Sequence, residues 1–251
     1  MGCNKRPTEA SKWSPYNNSL GMKFVPVPIT DGPTNGKKVL FGVWDTRLQD
    51  YRVYAQANPG VDQSFLDPGF KQGEDHPVVS VSWNDAKAFC SWLTRKERRE
   101  GKIGANDEYR LPTDYEWSCA VGIGDQEDAN ATPGSKGMKI AGVYPWGKQW
   151  PPPRGVGNYD ASLKVDDYEF TSPVGSFTAN QYGLFDMGGN VWQWCEDLCY
   201  TGSDIRELRG ASWYGSVYPV FLLSSFRLYD PPVRRSVNCG FRCVLVAGSP
   251  R

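Results

Sequence analysis

From about residue 123 onward, the sequence holds no long run with the 3.6-residue period of a helix. Short apolar stretches alternate instead with glycine, proline and large aromatic residues. With 27 Gly, 19 Pro and 10 Trp in 251 residues, turns are frequent and rings are available to hold an irregular backbone. Long connections without regular structure are uncommon unless something fixes them, so this half predicts ordered loops on a packed scaffold. Most of the tryptophans are expected in the core.

Helical signals are confined to the first half. Asp45 or Thr46 is a suitable N-cap for a helix carrying Leu48, Tyr51, Tyr54 and Ala55 on one face, stopped by Asn58-Pro59-Gly60. A strand, Val78–Trp83, precedes a second helix opening at Asn84, whose Ala86, Phe89, Cys90 and Leu93 share a face. Its basic end, Thr94–Glu100, reads as a solvated helix terminus. Thr113 and Glu116 form a capping box for a third short helix that Gly122 ends. Strand-like pieces at Met22–Val27 and Val39–Trp44 complete the regular structure. Early helices with an irregular, strand-poor remainder define an α+β domain over residues 19–251, behind a polar tether at 1–18.

Charge excludes several roles. The chain has 28 basic and 28 acidic residues, so no global field recommends nucleic acid or an anionic membrane. No run of eighteen apolar residues is present, so no transmembrane span is expected. Cys3 ahead of a polar stretch looks like the mature start of a bacterial lipoprotein, which would place the protein at the cell surface or in the periplasm. An incidental cysteine explains it equally. The seven cysteines lack zinc spacing, and His76 is the one histidine.

A set of blocks, in order along residues 20–246, resembles the formylglycine-generating-enzyme superfamily. They are Gly21-Met-Lys-Phe-Val-Pro-Val27, His76-Pro-Val-Val-Ser-Val-Ser-Trp-Asn-Asp-Ala86, and Tyr109-Arg-Leu-Pro-Thr-Asp-Tyr-Glu-Trp117. Gly183-Leu-Phe-Asp-Met-Gly-Gly-Asn-Val-Trp-Gln-Trp-Cys195, Leu208-Arg-Gly-Ala-Ser-Trp213 and Gly240-Phe-Arg-Cys243 follow. The resemblance implies an elaborated C-type-lectin-like fold, low in regular structure and stabilised by calcium. Asn158 and Asp166 with the carbonyls of Tyr159 and Tyr168 resemble the family's first calcium site. Asp186 and Gln193 with the carbonyls of Gly189 and Val191 resemble a second. Gln193 stands where the family usually has Glu, which removes a charge and weakens that site. Turn-forming Asx bonds are the alternative use of these polar groups. Cys90 and Cys243 match positions that the family can link by a disulfide.

Catalysis in the family depends on two cysteines that bind copper, and residues 209–223 contain no cysteine. Gly215 and the neighbourhood of Pro219 or Val220 occupy the corresponding places. Without thiolates there is no soft ligand for copper, so the expectation is a non-catalytic protein with no copper.

Between Trp213 and Gly240, residues suited to a packed frame (Trp213, Leu223, Ser224, Arg227, Arg235) are interspersed with mixed ones. The mixed positions are Tyr214, Ser216, Val217, Tyr218, Val220, Phe221, Leu228, Tyr229, Pro231, Val233, Arg234, Ser236 and Val237. They follow neither a 2 nor a 3.6 period. This segment resembles the variable region of diversity-generating-retroelement proteins such as the treponemal variable surface lipoproteins. There, a diversified face binds a protein or other surface ligand, and tyrosines mixed with small polar residues suit that task. The alternative is ordinary packing in an unvaried binding or scaffold module.

Overall fold

A computed structural model describes residues 6–215 and 217–248. Cys3 and Ser216 lie outside the described residues.

The strands β1 (Tyr16–Asn17), β2 (Lys23–Val27), β3 (Val39–Gly42) and β4 (Glu108–Arg110) share an antiparallel sheet with the C-terminal β9 (Val244–Val246), in the order β1-β2-β3-β9-β4. Both faces of this sheet are buried. Phe24, Leu40 and Leu245 point into one apolar cluster with Tyr51, Phe89, Trp194 and Phe241. Their sequence neighbours Val25, Val39, Phe41 and Val244 point into a second cluster with Trp117, Leu184 and Met187. That is why these strands read as unbroken apolar runs rather than alternating ones.

The second sheet has the order β7-β6-β5-β8 and is built from β5 (Trp192–Leu198), β6 (Arg206–Arg209), β7 (Leu228–Asp230) and β8 (Cys239–Phe241). β8 lies parallel to β5 and the other pairs are antiparallel. β6 and β8 flank the segment of mixed residues and β7 lies within it, so that segment is suspended from one small sheet.

Three helices pack around these sheets: α1 (Leu48–Ala57), α2 (Trp83–Arg99) and α3 (Asp114–Val121). Local signals set two of them. Ser82 Oγ accepts from Asp85 N at 3.2 Å to cap α2, and Thr113 Oγ1 accepts from Glu116 N at 3.2 Å to cap α3. Gly122, at φ +98°, ends α3.

Three expectations need correction. Helix α1 is capped at Arg47, not at Asp45 or Thr46. Residue 46 spends its backbone elsewhere, with its N–H on Phe241 O and its carbonyl taking Val78 N–H. Residues 78–82 form no strand of either sheet. Ser80 is left-handed at φ +57°, and its N–H goes to Ser236 O. The polar start is not all tether, because Tyr16 is fully buried, pairs with Phe24, and donates its hydroxyl to Glu97 at 3.2 Å.

The tryptophans follow expectation in part. Trp117 and Trp194 are among the largest fully buried side chains, whereas Trp13 is 87% exposed. Among the described residues no helix is long and apolar enough to cross a membrane.

Candidate binding face and cation loops

The segment after β6 has little regular structure of its own, and its side chains sort by depth. None of the twelve described positions singled out as mixed is buried. Tyr214 (61%), Tyr218 (63%), Tyr229, Pro231, Val233, Arg234 and Val237 are exposed, while Val217, Val220, Phe221, Leu228 and Ser236 are half-buried. Interleaved with them, Trp213, Leu222, Ser224, Ser225 and Arg227 are buried. Leu223 and Arg235 are half-buried, and Arg235 pairs with Asp85 at 2.9 Å.

Trp213 anchors the start of the segment. Its ring meets Phe70 at 5.5 Å and Phe170 at 5.3 Å edge-on, and its backbone N–H donates to Asn190 O at 3.0 Å.

Beneath the segment lies a buried platform of charge that the sequence did not announce. Arg227 reaches Asp114 at 3.0 Å and Glu127 at 2.6 Å. Arg209 pairs with Asp114 and donates to Ser224 O at 2.7 Å, and Lys136 reaches Asp114 at 2.5 Å. Burial alone would raise the Asp114 carboxyl, but the Arg209 and Arg227 guanidiniums hold it far below the usual range. Glu207 goes the other way, pushed well up by burial and by its neighbour Asp114. Asp197, which accepts Asp114 N–H at 2.6 Å, is raised to about 6 by burial. Three cations (Lys136, Arg209 and Arg227) stand among four carboxyl groups (Asp114, Glu127, Glu207 and Asp197), so the charges of the buried platform are largely paired under the segment.

The residues expected to hold calcium fall in two places. At the first, Asp166 accepts Tyr159 N–H (2.9 Å) on one carboxylate oxygen and Tyr168 N–H (2.8 Å) on the other. Asn158 is fully buried. Its Nδ2 donates to Phe170 O at 2.8 Å, whereas its Oδ1 is an acceptor without a hydrogen-bond partner. Burial pushes Asp166 up despite the two amides. An unpaired buried amide oxygen, on the same loop as a carboxylate raised by burial, fits a hard, oxygen-seeking cation.

The second set fits only in part. Asp186 Oδ1 is likewise buried and unpartnered, and Asp186 is raised by burial. Gln193, however, is turned away from a ligand's role. Its Oε1 accepts from Trp117 Nε1 at 3.1 Å and Arg242 Nε at 3.2 Å, and its Nε2 donates to Asp186 O at 2.7 Å. Gly189 and Val191 lie in the turn leading into β5. Gln193 is therefore corrected from metal ligand to partner of a buried arginine.

Cys90 and Cys243 meet across α2 and the start of β9 as buried thiols, with sulfurs 3.5 Å apart. That is contact distance, longer than the roughly 2.05 Å of a disulfide.

Comparison with known proteins places this arrangement. Residues 30–247 match the sulfatase-modifying factor enzyme 1-like domain. The mouse protein named inactive C-alpha-formylglycine-generating enzyme 2 is 37% identical over 73% of this chain and 53% of its own length. The mouse formylglycine-generating enzyme is 33% identical over 73% of this chain and 46% of its own length. The chain thus spans about half the length of these relatives. Among solved structures, PvdO from Pseudomonas aeruginosa superposes with a TM-score of 0.65 at 21% identity, covering 92% of this chain and 96% of its own. Treponema denticola variable protein 1 gives 0.57 at 19% identity, covering 89% and 92%. These likenesses define a C-type-lectin-like fold of the formylglycine-generating-enzyme type. By the extent of the domain match and the identity to its relatives, the chain belongs to the sulfatase-modifying factor enzyme 1-like family.

Proposed function

We propose that this chain is a non-catalytic ligand-binding protein whose ligand face is the mixed set of residues between Trp213 and Gly240. One observation carries the proposal: every described member of that set is exposed or half-buried, while Leu222, Ser224, Ser225 and Arg227 between them are buried. A close-packed interior does not tolerate changes of side-chain volume, but an outward face on a rigid base does. Exposed tyrosines with valine, proline, serine and arginine supply contact area and adaptable hydrogen bonds to a protein or other surface ligand. The absence of cysteine from residues 209–223 argues against the copper chemistry of a formylglycine-generating enzyme.

Diversification of the face by a retroelement belongs to the same proposal. The fold shared with Treponema denticola variable protein 1 supports it. A near-copy of the coding segment beside a reverse-transcriptase gene would establish it, and an isolated gene would favour an unvaried module.

Calcium held by Asn158, Asp166 and the carbonyls of Tyr159 and Tyr168 is the structural ion we assign to this scaffold. The unpartnered Asn158 oxygen supports it. A display library randomised at the mixed positions tests the face directly. Most members should resist protease as the parent does; a library that mostly unfolds would make the segment ordinary core.

A further inference from the structure

Three connections join the loop at 158–168 to the start of the candidate face. The first runs through the backbone: Asn158 O accepts Asn190 N–H at 2.7 Å, and Asn190 O accepts Trp213 N–H at 3.0 Å. The second runs through a ring. Asn158 Nδ2 donates to Phe170 O at 2.8 Å, and the Phe170 ring packs on Trp213. The third is a single side chain. Asp160 Oδ2 accepts Gly215 N–H at 3.0 Å, across 55 positions of sequence. The other Asp160 oxygen accepts both Ser162 N–H (3.1 Å) and Ser162 Oγ (2.7 Å), which fixes the carboxylate plane.

Gly215 is the exposed tip of the segment. It is left-handed at φ +77°, with no atom within 4 Å of where a Cβ would sit. On its inner side the turn is held by Ser212 Oγ, which donates to Tyr214 O at 2.9 Å; at the tip, Gly215 N–H donating to Asp160 is the contact that ties the turn to the loop at 158–168.

We propose that Asp160 is a positioning residue through which a divalent, oxygen-seeking cation bound by Asn158 and Asp166 sets the shape of the ligand face. This rests on the calcium assignment and on the binding face proposed above. A cation tying Asn158 to Asp166 closes the loop at both ends, and Asp160 stands on the closed turn between them. Fixing that turn presents the Asp160 carboxylate to Gly215 in one geometry, and with it the backbone that carries Tyr214 and Val217. By linkage, a ligand that needs this tip conformation must in turn tighten the cation.

Calcium itself is the probe. Isothermal titration of the full chain measures binding, and amide exchange by NMR reads Gly215 with and without calcium. In the wild type, calcium should slow Gly215 exchange about tenfold or more while leaving Leu245, in the doubly buried sheet, unchanged. Asp160→Ala should still bind calcium within about threefold of wild type but lose the slowing at Gly215. Ser162→Ala, which leaves the Asp160–Gly215 bond in place, should keep at least part of it. Calcium binding with no change at Gly215, or slowing that survives Asp160→Ala, overturns the proposal. No calcium binding at all overturns it together with the calcium assignment, and leaves the binding face to stand or fall on the library.

Discussion

The side-chain oxygen of Gln193 lies 3.2 Å from Arg242 Nε, inside a buried lock that also takes in Trp117. Arg242 is fully buried, donates to the carbonyls of Gly42 (2.7 Å) and Phe185 (2.6 Å), and has Asp45 at 3.5 Å. Burial lowers its pKa, partly offset by Asp45 and Asp186. A buried guanidinium needs its donors satisfied, and the glutamine amide supplies an acceptor without adding charge. An oxygen spent on two donors is a poor ligand for a metal.

That lock predicts the calcium stoichiometry. The wild type should bind one calcium per chain, counted by metal analysis after dialysis. Gln193→Glu places a carboxylate where the resemblance expects one and should raise the count toward two. Two tightly held ions in the wild type would show that Gln193 can leave Arg242 and coordinate.

Chelation should lower the melting temperature of the wild type, and Asp166→Ala should mimic it. The variant should then gain nothing from added calcium. In a calcium-soaked crystal the ion should sit roughly 2.3–2.6 Å from the oxygens of Asn158, Asp166, Tyr159 and Tyr168. A melting temperature unmoved by chelator, with empty density at that place, would sink the assignment.

Much of the fold was legible because its signals are local. The capping box at Thr113 is decided within three residues and is present, while the second helix, expected to open at Asn84, starts one residue earlier behind a Ser82 cap. The mixed segment was legible for the opposite reason, since its lack of any period matched an alternation of depth that no regular element imposes. What escaped were long-range partners. Asp114 meets Arg209 and Arg227 from about a hundred positions away, and Asp160 meets Gly215 across 55. Thr46 has the chemistry of an N-cap, but its backbone is claimed by Phe241 and Val78. The family resemblance implied a lost charge at Gln193, and only the fold showed Arg242 taking its oxygen.

Asp197 gives a pH dependence with a definite sign. Burial raises its folded pKa to about 6, above the roughly 3.9 of an unfolded aspartate. The folded state therefore holds the proton more tightly, and this group's contribution is favourable at low pH and lost as pH rises from about 4 to 6. Asp197→Asn removes the penalty and keeps an acceptor for Asp114 N–H. Urea melts should show it stabilised by about 1–3 kcal/mol at pH 8 and near wild type at pH 4. Equal effects at both pH values would mean that the carboxyl titrates normally.

Incubation with copper, oxygen and a cysteine-containing sulfatase peptide should yield no formylglycine. The step needs thiolate ligands for copper, and residues 209–223 offer none. Aldehyde formed in proportion to added protein would establish an oxidase working through other ligands.

The face and its base should separate cleanly under mutation. Tyr214 and Tyr218 are exposed, and Val217 and Phe221 half-buried, so replacing all four by Ser or Asn removes contact area more than core. Exposed substitutions usually cost within about 0.5 kcal/mol each. Phe221 should cost most of the four, because its ring meets Phe226 at 5.2 Å. Trp213 is different. Its ring fills the space against Phe70 and Phe170, and truncating a buried aromatic typically costs about 3–5 kcal/mol. Trp213→Ser should therefore lower the melting temperature far more than the quadruple variant does. The quadruple variant should keep the calcium response of the wild type while losing any ligand selected against the parent face. If it instead melts as low as Trp213→Ser, these side chains are core, and the segment from Trp213 to Gly240 is no ligand face.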